Sequence, residues 1–178
     1  NITAISHRAS IYLNMGRWAE AAEMAKKLES MHHSEIFIAA FAYSEQGRLA
    51  NALASFLQGA MNHSRTARSL AGCSVPQPKT HEEAEDDETA YYLRQSISGY
   101  LSRQSPASRS LFRKVIQHPR VRSLLKEAEE VRERWNHVAS DEARRHEVFT
   151  HMEEMKTAEY ARARAAELRD LIEKEGTK

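Results

Sequence analysis

The chain has 178 residues and a formal net charge of +1, with 41% hydrophobic and 29% charged residues but only 6 Gly and 4 Pro. That length holds one domain, or one domain and an appendage, and so few helix breakers among many Ala, Glu, Arg and Leu favour helix throughout. Near-neutral charge selects no class of partner, the single cysteine Cys73 excludes an internal disulfide framework and fits a reducing, cytoplasmic setting, and no apolar run is long enough for a membrane span.

Residues 5–21 reappear at 36–52, a shift of 31 positions. Ile5 returns as Ile36, Ala9 as Ala40, Tyr12 as Tyr43, Gly16-Arg17 as Gly47-Arg48, Trp18 as Leu49 and Ala21 as Ala52. A fixed period of this size marks a helical repeat whose units bury their apolar faces against one another. Each unit reads as a helix, a turn at a glycine that can take the left-handed C-cap conformation, and a second helix. Ile5, Ala9, Tyr12 and Leu13 line the first helix of unit one, and Trp18, Ala21, Ala22, Ala25 and Leu28 line its second. Leu49, Ala52, Leu53 and Phe56 follow the turn of unit two. Asn1 stands at or just before a repeat helix, so further repeats are expected upstream.

These residues resemble the tetratricopeptide repeat family, whose pattern runs over about 34 residues in the order large, small, Tyr, turn Gly, aromatic, small, aromatic. Unit two carries Ile36, Ala40, Tyr43, Gly47, Ala52 and Phe56, and unit one carries Ile5, Ala9, Tyr12, Gly16, Trp18 and Ala21. Arg8 and Ala25 depart from the pattern, and neither unit has the closing Pro. The resemblance covers roughly residues 2–60. It implies an all-α fold that begins a right-handed superhelix of helical hairpins, with a groove lined by the first helix of each unit. On that basis Ser6, Ser10, Leu13 and Asn14 face the groove, with Phe37, Phe41, Ser44 and Glu45 as their counterparts. Ser10, Asn14, Phe37, Phe41 and Glu45 are the candidate contacts to a partner protein or peptide, Asn14 in a slot where the family uses Asn to hold peptide backbone. Phe37 and Phe41 lie off the stripe of Ile36, Ala40 and Tyr43, so they either meet a partner or pack on another helix of the chain.

A third unit starts with Ala67 and Ala71 in register but fails, since Ser74 takes the Tyr slot and Pro78 the Gly slot. The expected layout is therefore repeats over 1–72, a loop or linker over 73–88, and a helical extension over 89–178 that packs on the repeats or projects from them. Six carboxylates between Glu82 and Glu88 read as a solvated run leading into a helix over 88–103, with Ala90, Leu93, Ile97, Tyr100 and Leu101 on one face. Ser105-Pro106 reads as an N-cap and first residue of a helix through His118 that packs Leu111, Phe112, Val115 and Ile116. Pro119 opens a long helix striped by Val121, Leu124, Ala128, Val131, Trp135 and Val138, a spacing suited to packing along another helix. The stripe breaks near Ser140-Asp141-Glu142 and resumes through Phe149, Met152, Met155, Tyr160, Leu168, Leu171 and Ile172. A helix charged on its other faces either packs on the repeats or pairs with a second copy as a homodimer.

Between Thr89 and Lys126 there is no acidic residue. Arg94, Arg103, Arg109, Arg113, Lys114, Arg120, Arg122 and Lys126 fall there, with Tyr91, Tyr92, Tyr100 and Phe112 interleaved. The segment is a candidate anion-binding face for an acidic peptide or a nucleic-acid backbone, or else a face compensated by the acidic stretches on either side. Metal binding is not expected. His32 and His33 are adjacent and diverge, His146 and His151 are one residue too far apart for the zinc-protease spacing, and Glu147, His151 and Glu154 on one helix read as an ion-pair face. No phosphate-cradling Gly loop, nucleophile motif or acid/base pair is visible, so no catalytic residue and no cofactor are assigned. The sequence points to non-catalytic protein–protein interaction of adaptor or chaperone-like kind, with nucleic-acid association through 89–126 as the alternative.

Overall fold

The computed structural model describes residues 1–31, 33–138 and 142–175, and these contain eleven α-helices and no strand. Two hairpins come first, α1 (Ile2–Asn14) with α2 (Trp18–Lys26) and α3 (Ile36–Glu45) with α4 (Leu49–Asn62). Ala21, Ala22 and Ala25 are buried on α2, so α2 and α3 pack with little side-chain bulk between them. A 3₁₀ turn over Glu29–Met31 leads toward the second hairpin.

The sequence echo is an echo of turn geometry. Gly16 and Gly47 have φ of 74° and 69°. In each turn the residue after the glycine donates its backbone N–H to a carbonyl five residues back, Arg17 to Tyr12 and Arg48 to Tyr43, both at 2.9 Å. This is the helix-ending motif that needs a left-handed residue, which glycine supplies without steric cost. The repeated arginines have a job too: Arg17 stacks 4.6 Å over the Tyr12 ring and Arg48 4.7 Å over the Tyr43 ring.

The third unit does not simply stall. Residues Ser64–Leu70 form α5, and Gly72 has a φ of 71° with Cys73 N–H donating to the Arg68 carbonyl at 2.9 Å. The turn thus recurs at Gly72, six positions ahead of the Pro78 slot, because α5 follows α4 after His63 alone. The loop is also shorter than the sequence suggests. Thr80 caps α6 (His81–Ser96) by accepting the Glu83 N–H at 3.2 Å, so the acidic run is helical rather than part of a linker over 73–88. The single helix expected over 88–103 is instead the end of α6 and the one-turn α7 (Ser98–Leu101), joined at Ile97.

Next come α8 (Pro106–Gln117), capped by Ser105 as its sequence indicates, and α9 (Pro119–His137). The buried stripe of α9 comprises Val121, Leu124, Leu125, Ala128 and Val131. Trp135 is half-buried, its ring 5.4 Å from that of Phe149 on α10 (Glu142–Met155). The break expected at Ser140-Asp141 lies outside the described residues. The last helix, α11 (Ala158–Glu175), packs along α4 through Ala161, Ala165 and Leu168.

The centre of the molecule is α3 and α4. Eight consecutive residues of α3, Ile36–Tyr43, are buried, so this helix is apolar all round and is covered on every side. α2 and α4 flank it, and α1 and α8 also touch it. α4 buries Ala52, Leu53 and every residue from Ser55 to Met61, with α3 and α11 against it.

Candidate functional site

The face that α1 and α3 share is filled by the chain's own segment from Ser96 to Phe112. Asn14 makes the central contact. Its Nδ2 donates to the Ser96 carbonyl at 2.7 Å and its Oδ1 accepts the Tyr100 N–H at 2.8 Å. Both partners are main-chain groups, at the C-terminus of α6 and within α7. Ser10 Oγ donates to Ser96 Oγ at 3.3 Å. The Arg103 guanidinium reaches back to the Asn14 carbonyl and closes the contact from the other side.

Glu45 does the same work on α3. Its Oε1 accepts the Tyr100 hydroxyl at 2.9 Å and the Ser105 N–H at 3.2 Å. A carboxylate at the N-terminus of α8 also meets the positive end of that helix. Tyr100 is 1% exposed. Burial pushes its hydroxyl far above the ordinary range, despite the opposing hydrogen bond from Ser108, and the Glu45 charge adds to the rise. It therefore remains a donor at neutral pH.

Phe37 and Phe41 are both fully buried. Phe41 sits 5.3 Å from the Tyr100 ring and 5.1 Å from Phe112, edge-on to the latter. Phe37 meets Phe56 edge-on at 5.5 Å, and Phe56 stacks on Phe112 at 4.7 Å. So the structure resolves the choice left open by the pattern: both rings pack on other helices of the chain. Ser10, Asn14 and Glu45 are likewise engaged internally, and none of the five candidate contacts faces an open groove.

The basic segment divides into three groups. Arg94 donates to the Ser69 carbonyl at 2.8 Å, Arg113 to the Gly72 carbonyl at 2.9 Å, and Arg103 to Asn14 and Gly99. Three of these carbonyls, those of Asn14, Ser69 and Gly72, lie at or just past helix C-termini, where the chain leaves acceptors unmatched and favours cations. Arg120 pairs with Glu167 of α11 at 3.6 Å and Lys126 with Glu130 at 3.6 Å. Arg109, Lys114 and Arg122 are exposed and have no partner among the described residues. The eight basic residues of the segment therefore do not act as one surface.

The acidic run is not its counterpart. Asp87 takes a forked pair of hydrogen bonds from Arg65 on α5, both 2.7 Å. Asp86 accepts the Thr66 hydroxyl at 2.6 Å and the Arg65 N–H at 2.9 Å, and so caps α5 from a neighbouring helix. Burial opposes charge on Asp86, but hydrogen bonds from His63, Thr66 and the Arg65 backbone outweigh it and hold the carboxyl below its ordinary value. Arg65 drew no attention in the sequence because it stands in the failed third unit, and only its proximity to α6 gives it a role.

His151 pairs with Glu127 at 3.5 Å and Glu154 at 3.8 Å, an ion-pair face joining α10 to α9. Among the described residues no cluster of metal-ligating side chains forms, and no helix is long and apolar enough to cross a membrane. Cys73 is half-buried, with Gln117 Nε2 3.9 Å from its sulfur. An aromatic pair on α6 is uncovered: Tyr91 and Tyr92 are 60% and 62% exposed, ring to ring at 5.5 Å in an edge arrangement. No family model matches the chain, and no curated protein or solved structure matches it significantly.

Proposed function

We propose that this protein is a non-catalytic protein–protein interaction module, adaptor or chaperone-like, whose residues 2–60 are two tetratricopeptide-like units. The units hold α6, α7 and α8 in a fixed pose, and the partner docks on the outward side of α6. The observation that carries this reading is the Tyr91–Tyr92 pair. Tyrosine is enriched at interface centres because it buries large area at small entropic cost and still offers a hydrogen bond. Docking inside the groove would instead require expelling Tyr100 and Phe112, and each buried ring of that size represents about 1.5–3 kcal/mol of burial.

The test is a double variant, Tyr91→Ala with Tyr92→Ala. Both side chains are exposed, so stability should change by less than about 0.5 kcal/mol per site. Partner proteins captured from the source cells by the wild type should be lost, at least tenfold, by the variant. Hydrogen exchange on the complex separates the two modes: docking on α6 slows exchange over 88–95, whereas entry into the groove speeds it over 97–104. Unchanged capture by the double variant removes this reading.

A second reading, association with nucleic acid, is favoured by the three unpartnered cations Arg109, Lys114 and Arg122. Each phosphate they neutralise should contribute a salt slope of about 0.9 on duplex DNA. An oligonucleotide shift in a low-salt gel that disappears in the Arg109→Ala, Lys114→Ala, Arg122→Ala variant supports it, and no shift at low salt removes it.

A further inference from the structure

The carboxylates of α6 divide between two faces. Glu83, Asp86 and Asp87 turn inward: Glu83 accepts the Lys79 N–H and lies 3.9 Å from Arg65, while Asp86 and Asp87 hold the start of α5. Glu82, Glu85 and Glu88 recur every third residue and are exposed. Glu85 meets His81 at 3.1 Å, but the carboxylates of Glu82 and Glu88 have no partner among the described residues. Glu88 precedes Tyr91 by three positions and Tyr92 by four, the two spacings that make side chains neighbours on a helix. An unmatched negative charge therefore shares one patch with two exposed rings. Ala90 and Leu93 take the buried side of α6, so the patch faces away from the core. The other tyrosines show what such a ring takes in this protein. Tyr12, Tyr43 and Tyr160 carry Arg17, Arg48 and Arg164 at 4.6, 4.7 and 5.0 Å, and Tyr100 is buried. Only Tyr91 and Tyr92 are exposed with no cation over the ring among the described residues.

We propose that the Glu88, Tyr91 and Tyr92 patch binds an arginine-bearing basic segment of a partner protein, one guanidinium sitting on Glu88 and the rings and a neighbouring cation reaching Glu85. The inference rests on the reading that partners dock on the outward side of α6, and adds the chemistry of what docks. A cation gains twice at this patch, from a charge-assisted hydrogen bond to the carboxylate and from the negative face of a ring. Guanidinium suits it better than ammonium, because its planar fork pairs with a carboxylate and stacks on an aromatic face. An anionic partner meets the opposite field, since Glu82, Glu85 and Glu88 all repel it. The contacts are exposed, so binding by this patch alone is weak and salt-sensitive.

The probes are three capped octapeptides alternating serine with arginine, lysine or glutamate, followed by amide chemical shifts of the full chain at low salt. The arginine peptide should give saturable shifts centred on Glu88, Tyr91 and Tyr92, half-saturating at or below about 1 mM. The lysine peptide should bind at least about threefold more weakly, and the glutamate peptide should not saturate. Glu88→Gln and Tyr92→Ala should each weaken the arginine peptide by about fivefold or more. Both positions are exposed, and circular dichroism checks that the variants fold. No saturation by about 10 mM, lysine binding as tightly as arginine, shifts centred elsewhere, or full affinity in Glu88→Gln overturns the inference. So does light scattering that finds a dimer which Glu88→Gln dissolves, since the occupant is then a second copy. Cell partners lost by the double tyrosine variant but kept by Glu88→Gln would remove the basic segment and leave docking on α6 standing. Partners kept by the double tyrosine variant would remove the docking reading, and this inference with it.

Discussion

Single residues in this protein carry two separable kinds of constraint. Gly47 is held by backbone conformation alone, since a Cβ there would meet nothing within 4 Å but φ is 69°. Gly47→Ala should therefore cost about 1–2 kcal/mol, the left-handed penalty. Gly59 has the opposite constraint: a Cβ there would stand 2.7 Å from the Phe37 ring. Gly59→Ala gains helix propensity of about 1 kcal/mol but must push a buried ring, a cost of about 1–3 kcal/mol, so net destabilisation is expected. Urea denaturation of the two variants measures both, with an unaltered slope showing that the fold is kept. Asn14 is constrained by hydrogen bonding. Asn14→Ala leaves the Tyr100 N–H and the Ser96 carbonyl without their partner and should cost about 1–3 kcal/mol. Because Trp18 lies 5.8 Å from the Tyr100 ring, loosening of α7 should also change tryptophan fluorescence before global unfolding. No such early change would mean that α7 is held by its apolar contacts alone. The turn glycines were legible in the sequence through their repeat, whereas Gly59 was not, because its neighbour Phe37 comes from another helix.

Helices here are joined as much by polar caps as by apolar faces. Asp86 on α6 caps α5, and Glu45 on α3 meets the start of α8. Arg103, just past α7, and Arg113 of α8 reach carbonyls at the ends of α1 and α5. The Asp86 contact should be visible in acid. Its carboxyl titrates below the ordinary value in the folded state, so its stabilisation is fully present above the unfolded value near pH 4 and is lost as pH falls through the folded value. Asp86→Asn should cost about 1.5–3 kcal/mol at neutral pH, and the wild-type and variant stabilities should converge as pH falls through the lowered folded-state value. A gap that stays constant down to pH 2 would assign the effect to shape instead of charge. The sequence showed the charges of this network as two runs, acidic over 82–88 and basic over 94–126, facing each other or solvent. It could not show that the partners are Arg65 and helix-end carbonyls, because carbonyls carry no sequence signature.

At the scale of the molecule, the second half of the chain completes the first. The segment from Ser96 to Phe112 fills the face of α1 and α3, and α11 covers α4. Most of the apolar stripe of α11 is spent within the chain: Ala161, Ala165 and Leu168 are at most 3% exposed, while Leu171 is exposed. Leu168→Ala should destabilise by about 2–5 kcal/mol, as large-to-small changes in packed sites do. The loss should be the same at low and high protein concentration in calorimetry. A midpoint that rises with concentration would place Leu168 in a contact between two copies.

The sequence by itself determined the helical class, the two hairpins, their glycine turns and the Ser105 start of α8, because these depend on spacing, capping and backbone conformation within a few residues. The resemblance led to the expectation that Asn14, Phe37, Phe41 and Glu45 share one face; Asn14, Phe41 and Glu45 meet the segment from Ser96 to Phe112, whereas Phe37 packs on α4. What covers that face was decided only by tertiary structure. An apolar ring at helical spacing looks the same whether its contact is a partner or Phe112, since burial depends on which distant segment arrives, and loop closure over some seventy residues leaves no local mark. The same holds for the cations of 94–126, whose charge is local but whose partners are helix ends that only the folded chain brings within reach.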